Sequence, residues 1–488
     1  MKRIIAIASS LAVLLSAASC DFLDIRTEAT LPSTGIDYSK SENMFMPVSA
    51  AYAQMRAGHG FNYLCLAEIP SDDADKGSES SDSATAIEMD GYKFTPNNGL
   101  LNSVWTEFFN MVSAANNAIE QMPRFAAAQT TEENIFLSRQ YACEAKLIRA
   151  YAYFQLTRLF GEVPLVDRTM TAEELGNNPA LSSDELYEFM CRDLDDAIDT
   201  LPESYGKGWG CRYTRYTAMG LKAKVALYHG DWAEAARQAD AIIASNRFKL
   251  MDDFRYVFSV EGEGCQESIM EIESSDMGMS SGSAPYLDYA YIQGPRNNKP
   301  SNMQGWGFNV PNDNLISFLK ERGDDIRYAA TILERGTTTP EGDYILETCT
   351  NPYYNGKVYT PSTYNDWSYN GYGFDHNVRV IRYSDILLIY AEALVNGAPA
   401  GTCGYSADFA LNMVRARAGL APVSATIDSI LDERRAEFAM EENRLFDLKR
   451  TGRAAGTIKG FVSPKHDYYP VPANQLQLNT ALSQRAGW

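Results

Sequence analysis

The stretch from Asp432 to Arg453, Asp-Glu-Arg-Arg-Ala-Glu-Phe-Ala-Met-Glu-Glu-Asn-Arg-Leu-Phe-Asp-Leu-Lys-Arg-Thr-Gly-Arg, decides how the rest of the chain is read. Its pattern predicts a helix on which Leu431, Phe438, Leu445, Phe446 and Leu448 fall largely on one face, with acids and bases at the other positions. Lys449 and Arg450 precede Gly452, so cations fill the last turn and a residue free to go left-handed follows. Charge this dense on an amphipathic helix is ordinarily a packed, salt-bridged structural element.

Helical patterns recur upstream. One covers about Ser41 to Arg56, and a second about Leu101 to Gln121, with Trp105, Phe108, Phe109, Val112 and Ile119 at packing intervals. A third runs from Glu132 to Phe160 and is closed by Gly161 and Pro164. A fourth begins at Ser182 or Ser183, where a hydroxyl cap and early acids suit a helix N-terminus. From Tyr213 to Ser245 two helices meet at a Gly230-Asp231 corner, with Ala223 and Ala235 small enough for close crossing. This resembles a tetratricopeptide hairpin, although Ala226 stands where tyrosine is usual. A similar pair spans Ile381 to Val395 and Ala407 to Ala418 about a Gly397-to-Gly404 turn. The fold class is therefore mostly α, a scaffold of degenerate helical hairpins.

Between about Lys249 and Arg379 the chain changes character and becomes rich in Gly, Tyr and Pro. Ser268 to Ile272 predicts a short strand and Leu315 to Glu321 a short helix. Segments such as Asn351 to Gly356 and Asp366 to Gly373 are turn-rich loops. Loops carried on a rigid helical frame are where binding usually sits.

A chain of 488 residues with 43 basic and 63 acidic side chains has a formal charge of −20, which argues against nucleic acid or anionic lipid as its main partner. The excess is aromatic, with 29 Tyr, 21 Phe and 6 Trp. Lys2 and Arg3 followed by the apolar run Ile4 to Leu15 and the small residues Ser16 to Ser19 predict a signal peptide over 1–19, too short to span a membrane. Cys20 then stands as in a lipobox, so its thiol is the expected site of acylation, with a polar leader over 20–40. The remaining cysteines, Cys65, Cys143, Cys191, Cys211, Cys265, Cys349 and Cys403, are scattered, with no metal spacing and no assignable pairing. Cys143 and Cys191 fall on helix faces as small core residues.

Three separated motifs resemble one family. They are Glu433-Arg434-Arg435-x-Glu437-Phe438 with Glu441, Glu442, Arg444, Phe446-Asp447-Leu448 and Arg450-Thr451-Gly452; the run Glu144 to Phe154 with Leu159 to Val166; and Tyr468-Tyr469-Pro470-Val471-Pro472 leading to Gly487-Trp488. All three are similar to signatures of the SusD/RagB family, glycan-binding lipoproteins of the Gram-negative outer membrane, as is the opening Cys20-Asp21-Phe22-Leu23-Asp24. The resemblance implies a single SusD-like domain over 41–488, with helical repeats at 41–248, a loop-rich ligand-binding insertion at 249–379 and C-terminal helices at 380–488. It further implies a cell-surface, lipid-anchored protein that captures an oligosaccharide or polysaccharide and passes it to a SusC-like, TonB-dependent β-barrel. Alternatives are an extracytoplasmic glycoside hydrolase and a peptide-binding or adaptor lipoprotein of the same fold.

Nothing in the sequence asks for catalysis, a cofactor or a metal. The acidic run Asp72-Asp73-x-Asp75 fails as a calcium loop, with Ser78 at the turn-glycine position and Ala84 at the bidentate one; a solvated acidic loop is expected. His59, His229, His376 and His466 are isolated. A sugar offers a C–H face to an aromatic ring and hydroxyls to planar polar groups, so exposed loop aromatics are the binding candidates. Trp306, between Gly305 and Gly307, stands first, followed by Trp367, Tyr372, Tyr289 and Tyr291. The resemblance places ligand-contacting tryptophans near the position of Trp306, and adds the loop from Asp72 to Tyr92, which offers Tyr92 but no tryptophan.

Overall fold

The structure is a computed structural model that describes residues 35–206, 212–274, 289–298, 304–363 and 376–488. The expected lipid site Cys20, together with Cys211, Trp367 and Tyr372, lies outside the described residues. Among those described, no helix is long and apolar enough to cross a membrane.

Helices dominate. The N-terminal part carries α1 (Phe45–Ala57), α2 (Phe61–Ala67), strand β1 (Ala74–Gly77), α3 (Ala84–Asp90), α4 (Gly99–Ala128), α5 (Glu132–Phe160) and α6 (Ser183–Thr200). α5 has the limits its sequence predicts, because Thr131 caps its start and Gly161, at φ +71°, ends it. Ser182 and Glu185 cap α6 reciprocally. The hairpin α7 (Arg215–His229) and α8 (Trp232–Ala244) turns at Gly230, and the fully buried Ala223 and Ala235 leave room for the helices to meet.

Next come β2 (Ser268–Ile272), α9 (Tyr289–Gln293), β3 (Phe308–Pro311), α10 (Asp313–Glu321), α11 (Asp325–Thr331), β4 (Ile332–Glu334) and β5 (Tyr353–Asn355). Strand β6 (Val378–Arg382) leads into α12 (Tyr383–Val395) and α13 (Ala407–Arg417), followed by α14 (Ile427–Glu437) and α15 (Arg444–Arg450). The helices pack in series: α4 on α5, α5 on α6, α6 on α7, α7 on α8, α8 on α12 and α12 on α13. Three two-stranded antiparallel ribbons, β1–β3, β2–β6 and β4–β5, tie distant segments together.

The Asp432–Arg453 stretch is not one helix. α14 stops at Glu437, Met440 and Glu442 take left-handed φ of 64° and 52°, and α15 starts at Arg444. Such backbone is strained for side chains of this size, and it persists because the turn aims Glu441 and Glu442 inward. Glu441 accepts from Arg382 Nη2 at 2.9 Å and from Lys357 Nζ at 2.6 Å. Glu442 accepts from the Tyr289 hydroxyl. The stop after α15 is as expected, with Gly452 at φ +69°.

The charges of this stretch line a buried ion-pair network. Glu433 meets Arg327 at 2.7 Å and Arg415 at 2.9 Å. Glu437 meets Arg382 at 2.8 Å and Arg417 at 2.5 Å. Arg434 joins Asp385 to Asp447, each at 2.7 Å, and Arg450 joins Asp447 to Glu392. Burial alone would neutralise the Glu437 carboxyl, but three surrounding guanidiniums hold it well below the usual carboxylate range.

The acidic run is likewise no solvated loop. Asp73 is fully buried and accepts from Arg435, while Asp72 takes a bidentate pair from Arg444 at 2.8 Å and 2.8 Å. Cys65, Cys143, Cys191, Cys265, Cys349 and Cys403 are free thiols.

Candidate functional site

The Trp306 segment is positioned by glycines. Trp306 N–H donates to the Tyr291 carbonyl at 2.9 Å, and Gly305 N–H donates to the Pro295 carbonyl at 2.8 Å. A Cβ on Gly305 would sit 2.4 Å from the Tyr291 oxygen, so only glycine lets this segment lie against the end of α9. On the other side, the Gly307 carbonyl accepts from Ser78 N–H and from Asn351 Nδ2. A Cβ on Gly77 would fall 2.3 Å from that same carbonyl. Three chain segments therefore converge on two glycine-flanked peptide groups, and Trp306 rises from their junction.

The indole is half-buried. One part packs against the main core, with its ring edge-on to Tyr291 at 5.6 Å. At the next residue, Gly307, a Cβ would meet Arg296 Cβ at 2.9 Å, and from there a set of planar polar groups extends. Arg296 donates to Ser78 Oγ at 3.0 Å and pairs with Asp82 at 2.9 Å. Asn297 Nδ2 donates to Glu79 at 3.1 Å and to Thr350 Oγ1 at 2.9 Å, and Thr350 in turn donates to Glu79 at 3.1 Å. The Glu79 side chain is 44% exposed and that of Arg296 30%, so both stay accessible although their positions are fixed. A preset rim loses little rotamer freedom on meeting a ligand.

The other candidates separate. Tyr291 adjoins Trp306 but is buried, and its carbonyl serves the Trp306 N–H. Tyr289 is enclosed, with its hydroxyl given to Glu442, and Tyr92 is enclosed, donating to the Pro70 carbonyl at 2.6 Å. Tyr92 and Tyr289 thus present no ring face to solvent, contrary to the expectation for loop tyrosines. The reason is that each phenol finds an acceptor inside the fold, which lets its ring fill core. Arg296, Asn297, Glu79 and Thr350 were not legible as a group, because they come from three separate segments and share no spacing.

His59, expected to be isolated, is structural. His59 lies between the Met55 carbonyl at 2.7 Å and the Tyr151 hydroxyl at 2.6 Å, and burial pushes its pKa down to about 4. Among the described residues, no group of three or more His, Cys, Asp and Glu side chains is arranged to hold a metal ion.

Comparison with known proteins places most of the chain. A profile described as the SusD family matches residues 266–488, and one described as "Starch-binding associating with outer membrane" matches residues 21–227. A SusD-like protein of Bacteroides ovatus is 25% identical over 470 residues, covering 92% of this chain and 82% of that one. A solved laminarin-binding SusD-like protein superposes with a TM-score of 0.79 at 25% identity, covering 92% of this chain and 99% of that one. Surface glycan-binding protein A from Bacteroides fluxus gives a TM-score of 0.76 at 25% identity, over 92% and 100% of the two chains. With helical-hairpin architecture, C-terminal signature and both profiles in agreement, the chain belongs to the SusD/RagB family.

Proposed function

We propose that this chain captures an oligosaccharide at the surface built around Trp306 and does so without cleaving it. The observation that carries this reading is the half-buried indole one residue before Gly307, against which Arg296 packs, with Arg296, Asn297, Glu79 and Thr350 held in one hydrogen-bonded set. An aromatic face takes the C–H face of a pyranose, and the rim offers both donors and acceptors to its hydroxyls. Two of the solved relatives are, by name, a laminarin-binding and a surface glycan-binding protein, which supports a glycan as the ligand. We further infer that Cys20 carries the lipid anchor, that the chain sits on the outer face of the outer membrane, and that it hands its cargo to a SusC-like, TonB-dependent barrel. Trp367 and Tyr372 remain proposed contributors to the same ligand surface. Individual sugar contacts are wet and weak, so affinity for a single chain end should be modest and repeated engagement should matter.

The test is a polysaccharide panel, with laminarin first, run by affinity electrophoresis and calorimetry on the chain from Asp21 onward beside Trp306→Ala. Binding to one glycan class, weakened more than about ten-fold by the substitution, is the expected result. Released sugars in the same samples would instead establish a hydrolase. Absence of binding across the panel would move the reading to a peptide ligand or an adaptor.

A further inference from the structure

A groove of about 300 Å³ opens between the C-terminal end of α5, the start of α6, the end of α7 and α15. That volume is at the small end for ligand sites, enough for one or two sugar units. Its lining shares no residue with the Trp306 surface; Arg158, Tyr228, Lys449 and Tyr468 are the members that matter.

Two cations here lack a carboxylate partner. Several buried cations elsewhere hold one, Arg149 with Asp193, Arg212 with Glu144, Lys224 with Asp385 and Lys357 with Glu441, although the buried Lys76 ammonium also donates only to the Glu79 and Asp82 carbonyls. Lys449 Nζ instead donates to the Arg158 carbonyl at 3.2 Å, and Arg158 to Gln155 and the Tyr63 hydroxyl. Neither has a carboxylate within ion-pair distance among the described residues, in a chain with 63 acids and 43 bases. Asp467 lines the groove too, but it accepts from Ser463 at 2.9 Å and stands outside ion-pair range of Lys449. Arg450, also on the lining, is committed to Asp447 and Glu392.

Two further observations point to a ligand. The Tyr228 hydroxyl is buried at the groove and has no hydrogen-bond partner, an arrangement that ordinarily carries a penalty of about 1–3 kcal/mol. The Tyr468 ring is 42% exposed and has Lys449 5.4 Å and Arg485 5.3 Å from its centroid. Arg485 Nε is itself buried without a partner. A partnerless hydroxyl and two cations without carboxylates, lining one groove with an exposed ring, describe the complement of an anion attached to an apolar face.

We propose that this groove is a second ligand site and takes a carboxylate-bearing sugar, a uronate, with the carboxylate set among Lys449, Arg158 and the Tyr228 hydroxyl and the pyranose against Tyr468. A uronate supplies the missing acceptor, and its C–H face supplies what an exposed phenol ring packs against. The site is independent of Trp306, so the two stand or fall separately.

The test is calorimetric titration of the chain from Asp21 onward with glucuronate and a short oligouronate, with glucose, acetate and an oligoglutamate peptide as controls. Expected is binding of the uronates only, weakened about ten-fold or more by Lys449→Gln and by Tyr228→Phe but unchanged by Trp306→Ala. Tyr228→Phe keeps the ring and its packing, and thermal melting of each variant separates lost binding from lost folding. Absence of uronate binding, or loss of it with Trp306→Ala alone, would overturn the site. Equal binding of acetate, or preference for oligoglutamate, would overturn its assignment to a sugar.

Discussion

Arg435 Nη2 donates to Asp73 Oδ1 at 2.6 Å across 362 positions of sequence. With Arg444 on Asp72, this contact fastens the segment before β1 to the C-terminal signature. β1 pairs in turn with β3, next to which Trp306 sits, so the signature supports the ligand surface through two steps of contact.

Removing one partner of such a buried pair leaves an uncompensated charge, which costs about 3–5 kcal/mol. Asp73→Ala should therefore lower the free energy of unfolding by that amount in urea titration. Added calcium should leave the wild-type melting temperature unchanged, because the carboxylates of Asp72 and Asp73 are already held by guanidiniums. A melting temperature that climbs with calcium would contradict the ion-pair assignment.

Arg382 touches Glu267, Glu437 and Glu441 while itself fully buried. Arg382→Met should lose about 3–5 kcal/mol, since three carboxylates are left together in low dielectric. The exposed pair Arg168–Glu174 is the control: Arg168→Met should change stability by less than about 1 kcal/mol. Similar losses at the two sites would show that the network is not under tension of charge burial.

Glu442 gives the chain a pH signature. Burial pushes its carboxyl up from 4.5 to about 7, and burial raises Glu68 beside it as well. Between those two pH values the folded state holds the Glu442 proton that the unfolded chain has released, so Glu442 by itself lowers stability as pH rises from about 4.5 to 7, while His59, kept neutral by burial down to about 4, acts in the opposite direction over most of the same window. The share due to Glu442 is about 3 kcal/mol. Glu442→Gln should remove that contribution and tilt the stability profile upward with pH across the window, leaving the opposing contributions of Glu68 and His59 in place. Denaturant midpoints measured across the window check this; a slope unchanged in the variant would remove Glu442 from the account.

Gly305 tests the Trp306 geometry without altering the indole. Gly305→Ala brings a methyl to 2.4 Å from the Tyr291 carbonyl oxygen, so the segment carrying Trp306 must shift. Glycan affinity should drop about as far as in Trp306→Ala, with a stability loss of about 1–3 kcal/mol. Full affinity in this variant would mean that the indole's placement is unimportant.

Much of the scaffold was legible because local physics specifies it. Glu132 to Phe160 carries its own cap, periodicity and stop, and the limits read from the sequence are those of α5. Ser268 to Ile272 likewise forms β2, and the alanines of the α7–α8 hairpin announced a close crossing. Trp306 could be singled out because the glycines on either side of it are a local signal.

What sequence alone determined, then, is which segments are helical, the limits of those that carry their own caps such as α5, which faces are apolar and, through its signatures, the family. Only the tertiary structure decided where the charges go. The same Glu, Arg and Asp residues that read as the polar side of one helix are buried, and the helix breaks at Phe438 to Asn443 to deliver two of them. Asp72, Asp73, Tyr92 and Tyr289 read as surface residues and lie inside for the same reason. Burial of a polar group depends on a partner brought from a distant part of the chain, and local periodicity contains no record of that partner.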